Sequence, residues 1–427
     1  MKKGILVSIL IATAASVLLL SGVLAREPQA APESEGFSSE RLARIGAVMR
    51  AEIDKSTLPG AVTLIARHGK IVHFEAHGYL DAGKTKPMPQ DAVFRMFSMA
   101  KPFVSVATMM LVEQGRMKLS DPVTTWIPEF KDMKVLIEKK DAAGNVTREP
   151  VPAERPITVQ DLLRHTSGFA YADNAPFPEI KDAYNKADIE SRETDVSPDE
   201  LVQRLAGIPL AWQPGTRWQY GVSTDVLGVL LERLTSKRLD LLLDELLFKP
   251  LEMQDTSFQV KPEQMARLAD AFDADPLKAR AWKSSRVEVD PGKRYRQGGG
   301  GTVSTAADYF RFAQLLVNGG ALDGMRILSR KTVEYMLSDH IPGFPGPTAS
   351  TTGPGYGFGL GFGVRRQEGF AVVPGSTGDA MWAGFGGTSF TIDPKEQIVG
   401  VFMAQAPTPR QHTRFLFKTL LYGALVQ

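Results

Sequence analysis

Apolar residues recur at helical spacing at Leu42, Ile45, Val48, Met49 and Ile53, behind Ser38 and Ser39, which predicts a capped helix running to about Lys55. The pattern then changes to two β-rich runs, Ala61 to Ala66 and Ile71 to Ala76. Arg67-His68-Gly69-Lys70 lies between them, so a hairpin with glycine at its turn is expected. From Phe103 to Val112 the chain is apolar apart from Ser105 and Thr108, and Glu113-Gln114-Gly115 closes the run: a buried helix with a glycine just past its end. Between Lys131 and Arg155, alternating charges, Gly144-Asn145 and prolines suggest a surface excursion or a hairpin. Thr158 caps a short helix that stops at His165-Thr166-Ser167-Gly168. Ala172 to Val196 is polar and shows no usable period, after which Leu201 to Leu205, Thr224 to Leu234 and Leu239 to Phe248 return to helical stripes.

The C-terminal third is different. Gly298-Gly299-Gly300-Gly301 leads through Thr305 into a helix that ends at Gly319-Gly320. A phosphate cradle is rejected there, because neither G-x-x-x-x-G-K-[ST] nor G-x-G-x-x-G can be laid on the run. Glycine alternates with Tyr356, Phe358, Leu360 and Phe362 from Gly353 to Gly363, a period of two that predicts a strand with glycine on one face. Trp382 to Gly387, Ser389 to Asp393 and Gln397 to Ala404 complete an antiparallel meander, and Thr413 to Val426 forms a last helix. Strands with helices at both chain ends thus bracket a mostly helical middle. The fold class is α+β: an antiparallel sheet flanked by helices, built from 37–96 and 297–427, plus a helical lobe over about 97–296, with the site in the groove between them.

The N-terminus adds a separate feature. Met1-Lys2-Lys3, apolar Gly4 to Leu20 and Ser21-Gly22-Val23-Leu24-Ala25 have the parts of a secretory signal, so export to the periplasm or medium with cleavage after Ala25 is expected. An uncleaved membrane anchor is the alternative. Residues 26–36, rich in Pro, Ala and Glu, are expected to be a flexible tether. Lys plus Arg number 50 and Asp plus Glu 48 with no basic block, which argues against a nucleic-acid partner. The absence of cysteine removes disulfides and thiolate ligands. Oligomeric state is left open.

Candidate chemistry centres on Phe97-Ser98-Met99-Ala100-Lys101-Pro102, the only S-x-x-K in the chain. A lysine three residues along a helix shares a face with the serine, so its amine can take the hydroxyl proton, and Pro102 is tolerated in a first turn. Alone, the tetrapeptide serves equally as a helix start with a solvated lysine. Competing nucleophile motifs are missing: there is no G-x-S-x-G and no H-E-x-x-H. His73 and His77, four apart on a strand, share a face but are expected to lie far from each other, and His165 is expected to order its turn.

With Leu162-Leu163-Arg164-His165-Thr166-Ser167-Gly168-Phe169, Gln213-Pro214-Gly215-Thr216-Arg217-Trp218-Gln219-Tyr220, the Gly298–Gly301 run and Trp382-Ala383-Gly384 following in order, the chain resembles the serine hydrolases of the class C β-lactamase and penicillin-binding type, and among them the family VIII carboxylesterases. The resemblance, from about Phe37 to the C-terminus, implies Ser98 as nucleophile, Lys101 as general base and Tyr220 as its partner in proton transfer. It implies backbone N–H groups of Ser98 and Phe385 as oxyanion donors, and needs no metal or cofactor. Two departures bear on substrate. Val222 stands where the β-lactam enzymes have the asparagine of Tyr-x-Asn, and Trp382-Ala383-Gly384 replaces Lys-Thr-Gly. The resemblance then implies a small-molecule neutral acyl ester as substrate, held by Trp382, Ala383, Gly384 and Val222, with a penicillin-interacting hydrolase, an acyltransferase and a silent binding protein of the same fold as alternatives.

Overall fold

Successive residues of one strand enter two different cores, and this sets the architecture. The computed structural model describes residues 28–190, 195–285, 294–346 and 351–427. Strand β1 (Gly60–Arg67) turns Val62 and Leu64 into a large core on one face and Ala61 and Ile65 into a smaller one on the other. A strand buried on both faces must lie inside a layered sheet. Around it lie β2 (Lys70–Gly78), β3 (Tyr356–Phe358), β4 (Gly363–Arg365), β5 (Ala380–Ala383), β6 (Ser389–Asp393) and β7 (Ile398–Ala404), in the order β2-β1-β7-β6-β5-β4-β3. Every pair is antiparallel, with Thr63 opposite Phe402 and Trp382 opposite Phe390 fixing the register. The two chain ends therefore close into one sheet, and the fold is α+β as the sequence pattern predicts.

The outer face is covered by α1 (Ser39–Asp54), capped by Ser38, and by the last helix, Arg410–Ala424. Leu42, Ile45, Met49 and Ile53 of α1 are buried there, each contributing about 1.5–3 kcal/mol relative to exposure. The inner face packs on the helix Ala306–Val317, capped by Thr305, and beyond it on the helical region containing α2 (Lys101–Glu113) and α3 (Ser223–Thr235). Gly115, at φ 68°, ends α2 in the left-handed turn that glycine allows. The Lys131–Arg155 stretch forms a hairpin, Lys134–Lys140 with Val146–Pro152. Among the described residues no helix is long and apolar enough to cross a membrane.

Four expectations are corrected. The described part of the 26–36 stretch is docked: Gln29 bridges Ile71, Pro32–Glu35 forms a 3-10 turn, and buried Glu35 accepts hydrogen bonds from His68 and Lys70. Composition alone missed this because one carboxylate facing two cations supplies the anchor. The glycine alternation is two strands, β3 and β4, joined by a tight turn in which Gly361 adopts φ 97° and Gly359 donates to the Phe362 carbonyl. Within 172–196 the helix Pro178–Lys186 buries only Ile180 and Tyr184, too few apolar positions to show a period. Finally, His73 and His77 converge: both Nε2 atoms lie on Thr63 Oγ1, at 2.8 and 3.2 Å. The expected signal segment, residues 1–25, lies outside the described residues.

Candidate active site

Ser98 is set by a strained turn. Phe97 adopts φ 48°, a region that a bulky residue occupies only when its surroundings fix it. They do: the ring is buried, with Trp282 at 5.9 Å and Phe385 at 6.4 Å between centroids. Gly386 leaves space for it, since a Cβ there would lie 2.3 Å from the ring. Phe97–Ala100 is a 3-10 turn that runs into α2, with Pro102 in the first helical turn. Ser98 thus sits half-buried on the turn and Lys101 begins the helix.

The turn places Lys101 Nζ 3.2 Å from Ser98 Oγ. Lys101 is 1% exposed, and its remaining contacts are the Tyr171 hydroxyl at 3.1 Å and the Gly299 carbonyl at 2.5 Å. The carbonyl can only accept, so one N–H is committed to Gly299. A neutral amine held this way would turn its one lone pair to one of the hydroxyls of Ser98 and Tyr171 and its second N–H to the other, and a lone pair on Ser98 is the geometry a base needs. On the other side the Tyr220 hydroxyl donates to Ser98 Oγ at 2.7 Å. Ser98, Lys101 and Tyr220 are therefore brought together in direct hydrogen-bond contact. A serine hydroxyl with an amine on one side and a phenol on the other can lose its proton and pass it to a leaving oxygen.

An aromatic wall holds Tyr220. Trp218 stacks on it with planes 10° apart, and Tyr171, His165 and Trp382 meet it edge-on at 5.3, 4.9 and 5.3 Å. His165 is buried, and burial first and the Lys101 charge second push its imidazole well below the ordinary value, leaving a neutral packing ring. Tyr220→Phe keeps this packing and removes only the hydroxyl. It is expected to lower kcat/KM for ester hydrolysis by about 10²-fold, the range of a single proton-transfer group. An unchanged rate at full secondary-structure content by circular dichroism would take Tyr220 off the proton path.

Ser98 and Phe385 line one cavity of about 450 Å³. Among the described residues neither of their backbone N–H groups has an acceptor within the protein, as an oxyanion pair requires. Of the expected substrate-holding residues, Val222, Trp382, Ala383 and Gly384 do not line this cavity. Val222 is fully buried at the start of α3 and does not line the cavity. Trp382 is 4% exposed and packs against Tyr220 and Phe358, so it positions the tyrosine. Ala383, one residue on along β5, faces a small apolar space beside Phe417 on the opposite side of the sheet. Gly384 is needed for close approach, because a Cβ would lie 2.4 Å from the Met96 carbonyl. The cavity is lined by Arg280, Lys283, Arg410, Asp173 and Glu190 beside the aromatic rings of Phe97, Tyr171, Tyr220 and Phe385. Asp173 pairs with Arg280, and Arg280 and Arg410 lie over the Phe385 ring at 5.3 and 4.5 Å.

Two contributors escaped the sequence reading. Tyr171 lies in the stretch after Gly168, where no periodicity marks a facing side chain. Gly299 belongs to the noticed glycine run, yet its contribution is a backbone carbonyl, and its lack of Cβ reflects Asp225, whose Oδ2 would be 2.2 Å away.

Comparison with known proteins identifies the family. The family described as Beta-lactamase matches residues 45–421. Protein Rv1367c of Mycobacterium tuberculosis is 34% identical over 366 residues, covering 84% of this chain and 88% of its own. Esterase EstB of Burkholderia gladioli is 33% identical, covering 82% and 87%. Among solved structures, EstCE1, described as a hydrolase with promiscuous acyltransferase activity, superposes with a TM-score of 0.74 at 27% identity, over 90% of this chain and 99% of that one.

Proposed function

The chain belongs to the Beta-lactamase family, a family of serine hydrolases with esterase and acyltransferase relatives, and from that premise we propose that it is a carboxylesterase that cleaves small acyl esters through an acyl-enzyme. The observation that carries this reading is the hydrogen-bonded set of Ser98, Lys101 and Tyr220 opening into the cavity. Ser98 Oγ attacks the ester carbonyl carbon as its proton passes to the Lys101 and Tyr220 pair. The carbonyl oxygen becomes an oxyanion that the Ser98 and Phe385 N–H groups face. Collapse breaks the bond to the alcohol oxygen, which leaves with the proton. Water then adds to the acyl carbon, gives a proton to the same pair, and Ser98 is released protonated with the free acid.

The resemblance to an esterase, the missing asparagine at Val222 and the missing lysine at Trp382 support ester over lactam. The charged residues of the cavity support esters whose alcohol or acyl portion carries a polar group. Export through the Met1–Ala25 segment is part of the proposal and rests on its basic, apolar and small-residue pattern. A panel of p-nitrophenyl esters of increasing acyl length, run beside nitrocefin and repeated with an added alcohol acceptor, tests it. Short-chain esters are expected to be turned over fastest. Nitrocefin hydrolysis at a comparable rate would favour the lactam reading, and acyl transfer outrunning hydrolysis would favour the acyltransferase reading.

A further inference from the structure

The outer face of the sheet carries a second cluster of reactive side chains that the hydrolytic chemistry does not use. In β2, His73, Glu75 and His77 alternate with residues facing the other way, and they stand opposite Ile65, Thr63 and Ala61 of β1. Ala61 and Ile65 belong to the core beneath α1, so the three side chains lie under that helix, on the face of the sheet away from the large core that holds α2. His73 and His77 are buried, while the Glu75 side chain is 46% exposed and open to solvent.

Their ligating atoms converge. His73 Nδ1 and His77 Nε2 each lie 3.7 Å from a Glu75 carboxylate oxygen, and one donor atom from each of the three residues falls within 4.8 Å of the others. In a tetrahedral zinc site with bonds near 2 Å, donor atoms are about 3.3 Å apart, so closure by less than the reach of one exposed glutamate rotamer suffices. Thr63 Oγ1 sits 3.2 Å from His77 Nε2, a contact that a bound ion would replace as the Thr63 hydroxyl turns to the Glu75 backbone carbonyl 3.4 Å away. It also sits 2.8 Å from His73 Nε2, whose N–H it can accept. That tautomer leaves the Nδ1 lone pair directed at Glu75, the outer-sphere support that metal-bound histidines ordinarily have. Helix α1 makes room at Gly46, where a Cβ would be 3.0 Å from Glu75 Oε2 and 3.5 Å from His77 Cε1. Exposed Arg50, on the same helix, is the cation that faces the cluster.

We propose that His73, Glu75 and His77 form a site for a divalent transition-metal ion, with Zn²⁺ the best match, whose fourth position is taken by water from the open Glu75 side. Two imidazoles and a carboxylate are a donor set that zinc accepts and that calcium or magnesium does not favour. The ion would pin the edge strand β2 beneath α1 and take no part in the chemistry at Ser98.

Isothermal titration of chelator-treated, untagged protein with Zn²⁺, together with the visible absorption of Co²⁺-loaded protein, tests this. The expected result is one saturable equivalent and intense tetrahedral Co²⁺ bands. Glu75→Gln, at a half-exposed position where folding is not at risk, is expected to weaken zinc binding by about tenfold or more, and His77→Gln to abolish it. Absence of saturable binding in the unaltered protein would overturn the proposal. Binding that is unchanged in Glu75→Gln would overturn it as well, because the ion would then be held elsewhere.

Discussion

Ser98→Ala is expected to reduce hydrolysis of a p-nitrophenyl ester by at least about 10⁴-fold, since loss of a nucleophile that acts as a unit with its base removes nearly all of the chemical step. The fold should be kept. Ser98 is half-buried on its turn, the Phe97 and Phe385 rings hold that turn, and removing one hydroxyl leaves Lys101 with Tyr171 and Gly299 as partners. Steady-state assay of the purified variant, with labelling by a fluorophosphonate probe as a second readout, checks this. Retained turnover or retained labelling would place the nucleophile elsewhere and end the mechanism proposed above.

The second large effect concerns stability. Asp379, immediately before β5, is fully buried and receives hydrogen bonds from Arg365 Nε at 2.7 Å, the Tyr356 hydroxyl at 2.8 Å and Lys418 Nζ at 3.0 Å. The hydroxyl of Tyr356 also accepts from Arg365 and Lys418, so one carboxylate and one phenol serve two buried cations. Burial is the largest influence on Lys418 and pulls it below the ordinary lysine value. Asp379→Ala would leave both cations without their counter-charge in a dry environment, and is expected to cost about 3–5 kcal/mol of folding stability. Urea denaturation measures it. A loss below about 1 kcal/mol, the ordinary effect of a point mutation, would mean that the cations find water or other partners. Because β5 runs from this network to Trp382 and Gly384, a weakened variant is also the one in which the packing around Tyr220 should loosen.

Much of the fold is legible because the elements that build it carry their own periodicity. The α1 stripe, the β1–β2 hairpin, the α2 run with Gly115 and the final meander all appear where the pattern of apolar residues puts them. Reading fails where conformation is set by one or two specific contacts. Gly353 to Gly363 keeps a strand period while turning sharply at Gly361, and the Pro28–Gly36 segment has a tether's composition while Glu35 anchors it. His73 and His77 are four residues apart along an extended strand, and only the common partner Thr63 on the neighbouring strand draws their ring nitrogens together.

The motif tyrosine came from the resemblance to a family; by itself, the sequence determined the strands and helices with strong periods and the S-x-x-K pair. These are local facts: spacing along a helix is enough to put an amine beside a hydroxyl. Tertiary structure decided everything that depends on distant segments meeting. It brought Tyr171 and the Gly299 carbonyl to Lys101, set Arg280 and Arg410 over Phe385, and turned Trp382 from the substrate cavity onto Tyr220. No periodicity encodes such meetings, because the sheet order and the packing of the helical region against it determine which side chains share a cavity.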